Sequence, residues 1–167
     1  MKNKIVAIIT LTIILLSFAQ CNKNEKATGP DLELYNEATA STGFTFYQDN
    51  PAILTSSNPS AHNDFMRVKF NAIAKSALGL DGRLPVGASF PNGSLIVKEL
   101  YDNQSGSIAL YAVMKKDSTN PSAGVNWLWA EFNPDATVAF SVTENGSGCI
   151  GCHSTNSRDY SRVFNLF

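Results

Sequence analysis

Histidine and cysteine are scarce in this sequence, with two and three copies respectively in 167 residues. That scarcity limits the metal chemistry available. A structural zinc site draws four ligands mostly from these two residue types, and this chain is hard pressed to supply the fourth. Charge is sparse too: Asp, Glu, Lys and Arg make up 16% of the chain and the formal net charge is −1. Nucleic-acid binding calls for a basic patch or stripe facing phosphates. No such stripe is present, nor any helix-turn-helix or RNA-binding signature. Internal repeats and low-complexity segments are lacking. With hydrophobic residues at 44%, low charge does not mean disorder; this is the composition of a globular domain with a core.

Long apolar runs are also few. The clearest, Ile5 to Ala19, is shorter than the roughly 20 residues a membrane span needs. Preceded by Lys2 and Lys4, it reads as the apolar part of a signal peptide covering residues 1–20. The run closes with Ser17-Phe18-Ala19-Gln20-Cys21 and the chain then turns polar. A cysteine at the expected cleavage point is similar to a lipobox, in which Cys21 takes a diacylglyceryl group and becomes the new N-terminus. Phe18 and Gln20 depart from the common lipobox, so plain cleavage stays open, as does an uncleaved N-terminal helix. The expectation is an exported protein held in the bacterial cell envelope, on the periplasmic face or the outer membrane, touching the membrane only through its lipid anchor.

Residues 21–31, ending in Gly29-Pro30, read as a tether, and residues 32–167 as one domain. Leu32, Leu34, Tyr35 and Ala38 recur at helical spacing behind Asp31 as N-cap, which predicts a helix stopping near Gly43. The stretch from Gln48 to Asn63 is rich in Asn, Pro and Ser and reads as a loop. Phe65–Phe70 alternates at period two, as a strand does, and a short helix is expected over Ala72–Leu78. Further strands are expected over Ser94–Tyr101, Ile108–Lys115, Asn126–Phe132 and Thr137–Val142, separated by turn residues at Asn103–Gly106, Asn120–Ser122 and Asn133–Asp135. The fold class is therefore α+β: a single domain dominated by an antiparallel sheet, with a few short helices.

If Cys21 takes lipid, Cys149 and Cys152 remain. A CxxC pair can form a redox disulfide, help bind a metal, or attach haem. The next residue, His153, completes Cys149-Ile150-Gly151-Cys152-His153, the pattern in which two thiolates add to haem vinyl groups and the adjacent histidine ligates the iron. A thioredoxin-type pair usually follows a strand and opens a long helix, whereas this one follows Gly146-Ser147-Gly148. One covalent haem c per chain is the expectation, with the redox pair as the alternative. Small c-type cytochromes are commonly all-helical, so a haem motif late in a β-rich domain points elsewhere.

Several segments together resemble the cytochrome P460 family. They are Ala61–Ala74, with His62-Asn63-Asp64-Phe65-Met66-Arg67-Val68-Lys69-Phe70 at its centre; Phe90-Pro91-Asn92-Gly93-Ser94-Leu95-Ile96-Val97-Lys98-Glu99; Tyr111–Asp117; the strand bearing Trp127 and Trp129; Gly148–His153; and Arg158-Asp159-Tyr160 with Val163-Phe164. The resemblance spans roughly His62 to Phe164. It implies a β-sheet fold, usually homodimeric, and a five-coordinate c-type haem ligated by His153. In hydroxylamine-oxidising members a lysine is also bonded to the porphyrin edge, and Lys98 matches that position. The related β-type cytochromes c-prime lack this bond and bind nitric oxide in an apolar pocket.

On residue pattern alone, Lys98 shares a strand face with Ile96 and Leu100. Such a lysine either snorkels to solvent or has a buried use; burial beside haem would lower its pKa and make the amine nucleophilic. Arg67 stands where the family carries a basic residue, and either contacts a haem propionate or distal ligand or is a solvated strand arginine. Glu131 shares a face with Trp127 and Trp129; it is either a distal proton acceptor or an exposed strand glutamate. His62 in its loop is read as a surface or capping residue, with iron ligation the alternative, and Met66 and Met114 as core, with axial ligation the alternative for each. The functions in view are oxidation of hydroxylamine or a related small nitrogen oxide with electrons passing to an exported partner, nitric-oxide or gas binding, and plain electron transfer.

Overall fold

The computed structural model describes residues 25–57, 62 and 64–165. The expected signal peptide, the lipid-bearing Cys21 and the first part of the tether lie outside these residues. Helix α1 (Gly29–Ala38) is followed by strands β1 (Phe44–Phe46), β2 (Leu54–Thr55) and β3 (Phe65–Asn71), helix α2 (Ala72–Ser76), strands β4 (Leu95–Tyr101), β5 (Ile108–Lys116), β6 (Trp127–Phe132) and β7 (Val138–Phe140), and helix α3 (Ile150–His153). The seven strands form one sheet ordered β1-β3-β4-β5-β6-β7, with β2 beside β3, and every pairing is antiparallel. The expected α+β architecture, a sheet-dominated single domain with few short helices, is what forms.

Period-two alternation divides the sheet into two faces. One face presents Leu95, Val97, Val113, Leu128, Ala130 and Phe132, and α1 lays Leu34 and Ala38 on it. The other presents Val68, Phe70, Ile96, Met114, Trp127 and Trp129, covered by Leu84 and Phe90 from the β3–β4 connection and by Val163 and Phe164 after α3. Trp127 and Phe70 are wholly buried. Truncating side chains of this size to alanine typically costs about 3–5 kcal/mol, so this second face holds much of the stability as well as the haem motif.

Element ends differ from expectation for local reasons. Helix α1 starts at Gly29, ahead of Asp31, because Pro30 is preset for a first helical turn. Asp31 instead reaches across the chain: Val142 N–H donates to its Oδ1 at 2.8 Å and Ser141 Oγ to its Oδ2 at 2.7 Å. The helix also stops at Ala38, well before Gly43. Strand β7 is shorter than Thr137–Val142 because Ser141 and Glu144 close a capping box that opens a 3-10 turn. At β3's end, Asn71 Oδ1 accepts from Ala74 N–H at 2.9 Å and Leu95 N–H at 3.0 Å, tying the start of α2 to β4. The described part of the expected tether is docked: Ala27 N–H donates to Ala136 O at 2.8 Å and Val138 N–H to Glu25 O at 2.9 Å, covering the β7 edge.

Candidate haem site

Register places the charged candidates. Lys98 pairs with Ala112, and Ala112 with Glu131, in one row across β4, β5 and β6. With strands about 4.8 Å apart, the Lys98 and Glu131 backbones lie ~10 Å apart, and the small Ala112 leaves space between them. Above this row lies a cavity of about 610 Å³, lined by Val68, Ile96, Leu100, Leu110, Met114 and Trp129 as well as by Lys98, Glu131, His62, Cys149, Cys152, His153 and Arg162. That is within the usual ~300–1,000 Å³ of small-molecule sites.

The haem motif roofs this cavity. Cys149 and Ile150 N–H groups both donate to Gly146 O, at 2.9 and 3.0 Å, and His153 N–H donates to Cys149 O at 3.1 Å, so α3 is a single tight turn. Gly146 has φ +70° and lies against the Trp129 ring, where a Cβ would sit 2.4 Å from a ring carbon. Cys149 is half-buried, Cys152 is exposed, and both are free thiols. Burial, with the Glu131, Glu144 and Cys152 charges behind it, pushes the Cys149 thiol up to about 11.

His153 is held from two sides. Its Nδ1 is 2.8 Å from the Tyr160 carbonyl, so Nδ1 carries the proton and the Nε2 lone pair is left for a metal. The Trp129 ring packs edge-on at 4.9 Å between centroids. Burial lowers the His153 pKa; the bond to Tyr160 opposes this, and the Lys98 and Arg162 charges add to it. The carbonyl itself comes from a tight turn. Arg158 and Ser161 exchange N–H···O bonds of 3.0 Å, and the two residues between, Asp159 and Tyr160, have φ of 48° and 64°. Positive φ at both central positions is the pattern of a type I′ turn, to which Asp is suited and Tyr is not; a tyrosine so held costs about 1–3 kcal/mol.

Charges on the sheet floor are strongly perturbed. Burial lowers the Lys98 amine to about 8, with Glu131 pulling the other way and Arg162 adding to the fall. Burial raises the Glu131 carboxyl, against the Lys98 charge. His62 Nδ1 lies 3.5 Å from Glu131 Oε1, and burial, with Lys98 and His153 nearby, lowers its pKa to about 4. Thus His62 is a cavity residue, in contrast to the surface or capping role expected of it. Met114 lines the cavity and Met66 is fully buried core.

Arg67 is on the opposite face. Its guanidinium meets Glu99 at 2.6 Å and stacks on Phe46 and Tyr101, and Lys69 Nζ also reaches Glu99 at 3.0 Å. Residue parity on β3 directs Val68 to the cavity and Arg67 away from it, so Arg67 stands outside the cavity lining in which a haem contact was expected of it. The residue in position for an anionic haem edge is Arg162, whose Nη1 donates to Cys152 O at 3.3 Å. Its Nε is buried without a hydrogen-bond partner among the described residues. An orphaned guanidinium N–H in a cavity wall is an unmet demand for an acceptor.

The profile of the cytochrome P460 family matches residues 45–165. The chain belongs to the cytochrome P460 family. No curated protein matches it. Membership implies a haem cofactor, which P460 proteins generally carry covalently as c type. The residues present fit that group: a largely apolar cavity, two free thiols, a histidine in its lining whose Nδ1 is already bonded, leaving Nε2 for a metal, and an arginine N–H without an acceptor. Cys149 and Cys152 would hold the haem by thioether bonds, His153 would ligate iron, and Arg162 would meet a propionate. In sequence, Arg162 was hidden among tail residues of no evident pattern. The Tyr160 carbonyl gave no signal at all, since a backbone group carries none, and Ala112 is visible as a site residue only through its register partners.

Proposed function

We propose that this is an exported, lipid-anchored P460 protein with one haem c per chain that binds hydroxylamine or a related small nitrogen oxide and oxidises it, passing electrons to an exported redox partner. The observation that supports this best is the row Lys98–Ala112–Glu131 facing the same cavity as His153. When bound, the haem would supply an iron centre able to take a nitrogen ligand and accept its electrons. The chain's residues handle position and protons. Ala112 leaves room for a small ligand beside the apolar wall of Val68, Ile96, Leu100 and Met114. Glu131, with its pKa raised by burial, is a stronger base than an exposed glutamate and takes protons released by the substrate. His62, its Nδ1 3.5 Å from Glu131 Oε1, is neutral near pH 7 given its pKa of about 4, so it holds the Glu131 carboxylate without protonating it. Lys98, lowered to about 8, has an appreciable neutral amine fraction, as bonding to the porphyrin edge requires.

The apolar wall also favours a second reading, a nitric-oxide-binding module of β-type cytochrome c-prime kind, with the same anchors and no lysine bond. Both readings include a homodimer. The test is the reduced absorption spectrum of protein matured with c-type haem, with mass spectrometry of its haem peptide. A red-shifted Soret band and a haem peptide joined to the Lys98 segment support hydroxylamine oxidation. An ordinary five-coordinate spectrum that responds to nitric oxide supports gas binding. Absence of covalent haem refutes both and leaves Cys149 and Cys152 as a redox pair.

A further inference from the structure

Beneath the turn that supplies the Tyr160 carbonyl lies a buried ion pair. Lys116 Nζ, from the end of β5, meets both oxygens of Asp159, at 2.7 and 2.9 Å, and both side chains are only 8% exposed. Phe90 N–H donates to Asp159 Oδ2 at 2.8 Å. The Lys116 ammonium also rests on the Trp127 ring, 4.8 Å from its centroid. Asp159 is thus fixed by a charge, a backbone donor and, through the lysine, the core of the sheet. Its neighbour Tyr160 is at positive φ, where a tyrosine would not stay without support.

We propose that the Lys116–Asp159 pair is a positioning device for the axial histidine, holding the Asp159–Tyr160 turn so that the Tyr160 carbonyl keeps its bond to His153 Nδ1. The proposal rests on reading His153 as the iron ligand and goes beyond it. A carbonyl held against Nδ1–H fixes the ring's tautomer and orientation and raises its basicity toward a metal on Nε2. The basicity of an axial ligand in turn sets the reduction potential of the iron. Neither Lys116 nor Asp159 needs to touch the haem for this. The pair couples the sheet's rigid end to the 2.8 Å Nδ1–O contact through one turn.

The test uses the haem-loaded protein, reading the Fe–His stretch of the ferrous form by resonance Raman and the midpoint potential. In Lys116→Met the stretch should move to lower frequency and the potential should rise, as the Nδ1–H bond loosens. Lys116→Arg, which keeps the pair, should restore both toward wild type. Because a lone buried carboxylate is destabilising, the double variant Lys116→Met/Asp159→Asn removes both charges while leaving an acceptor for Phe90 N–H; it should shift both readouts in the same direction. Asp31→Ala, which weakens a cap remote from this turn, should move neither and so separates positioning from general loosening. A folded double variant with wild-type stretch and potential overturns the proposal. A five-coordinate, high-spin ferrous wild-type protein with no Fe–His band instead refutes ligation by His153, and the positioning role falls with it.

Discussion

Replacing Gly146 by alanine should be among the most damaging single-methyl changes available to this protein. Two costs combine. At φ +70° an L-residue pays about 1–2 kcal/mol for the left-handed backbone. The added methyl would also stand 2.4 Å from Trp129 Cδ1 and 2.7 Å from its Nε1, where something has to shift. Trp129 has little freedom to yield: it is 2% exposed, and its indole N–H donates to Gly124 O at 3.0 Å. Overpacking of this kind costs about 1–3 kcal/mol. The sum is about 2–5 kcal/mol, a large share of the ~5–15 kcal/mol by which a domain is stable. Equilibrium urea denaturation followed by far-UV circular dichroism measures it. Gly151, between the two cysteines, is the internal control: nothing lies within 4 Å of its Cβ position, so Gly151→Ala should be neutral or stabilising by up to ~1 kcal/mol. A Gly146→Ala loss below ~1 kcal/mol, or a Gly151→Ala loss as large as that of Gly146→Ala, would show that the Trp129 wall is softer than its burial and hydrogen bond imply.

Burial pushes the Glu99 carboxyl up, but hydrogen bonds and charges from Lys69 and Arg67 outweigh it and hold its pKa below the usual carboxylate range. A folded-state pKa depressed in this way stabilises the protein above the unfolded value, near 4.5, and that stability is lost as pH falls through the folded value. Glu99→Gln should therefore unfold more easily at pH 7 and show a flatter loss of stability on acidification than wild type, measured by denaturant midpoints across pH 2–7; parallel curves would refute the coupling. Asp31→Ala removes the acceptor of Val142 N–H and Ser141 Oγ and should cost about 1–2 kcal/mol, as loss of a helix cap does; a denaturation midpoint unchanged from wild type would refute that role. Arg162→Met removes the orphaned guanidinium from the cavity wall and should lower the fraction of purified chain carrying covalent haem, read by haem absorbance against protein absorbance. An unchanged fraction would mean that no propionate depends on it.

Local pattern carried most of the architecture. Alternation in Phe65–Phe70, and apolar runs bounded by turn residues in the later strands, marked out the strands of the sheet; β4 and β6 themselves are buried along most of their length, because both faces of the sheet are covered. The same parity puts Lys98 on one face with Ile96 and Leu100, and Glu131 on one face with the tryptophans. The Cys149–His153 motif was legible because haem attachment with axial ligation would require this fixed spacing of adjacent residues. What sequence could not decide was anything set by partners distant along the chain. Arg67 and Lys98 are both cations on neighbouring strands, yet the register of β3 against β4 directs one to Glu99 and the other into the cavity. His62, in a stretch with no periodic pattern, meets Glu131 of β6, a partner distant along the chain. Asp31 had the profile of a local helix cap and found its partners more than a hundred residues away. His153 meets the Tyr160 carbonyl of a strained turn, whose Asp159 is paired with a lysine from another strand. Sequence determines what is periodic or covalent, because those constraints act between near neighbours; packing decides which isolated charge or carbonyl meets which, because that depends on closing the whole fold.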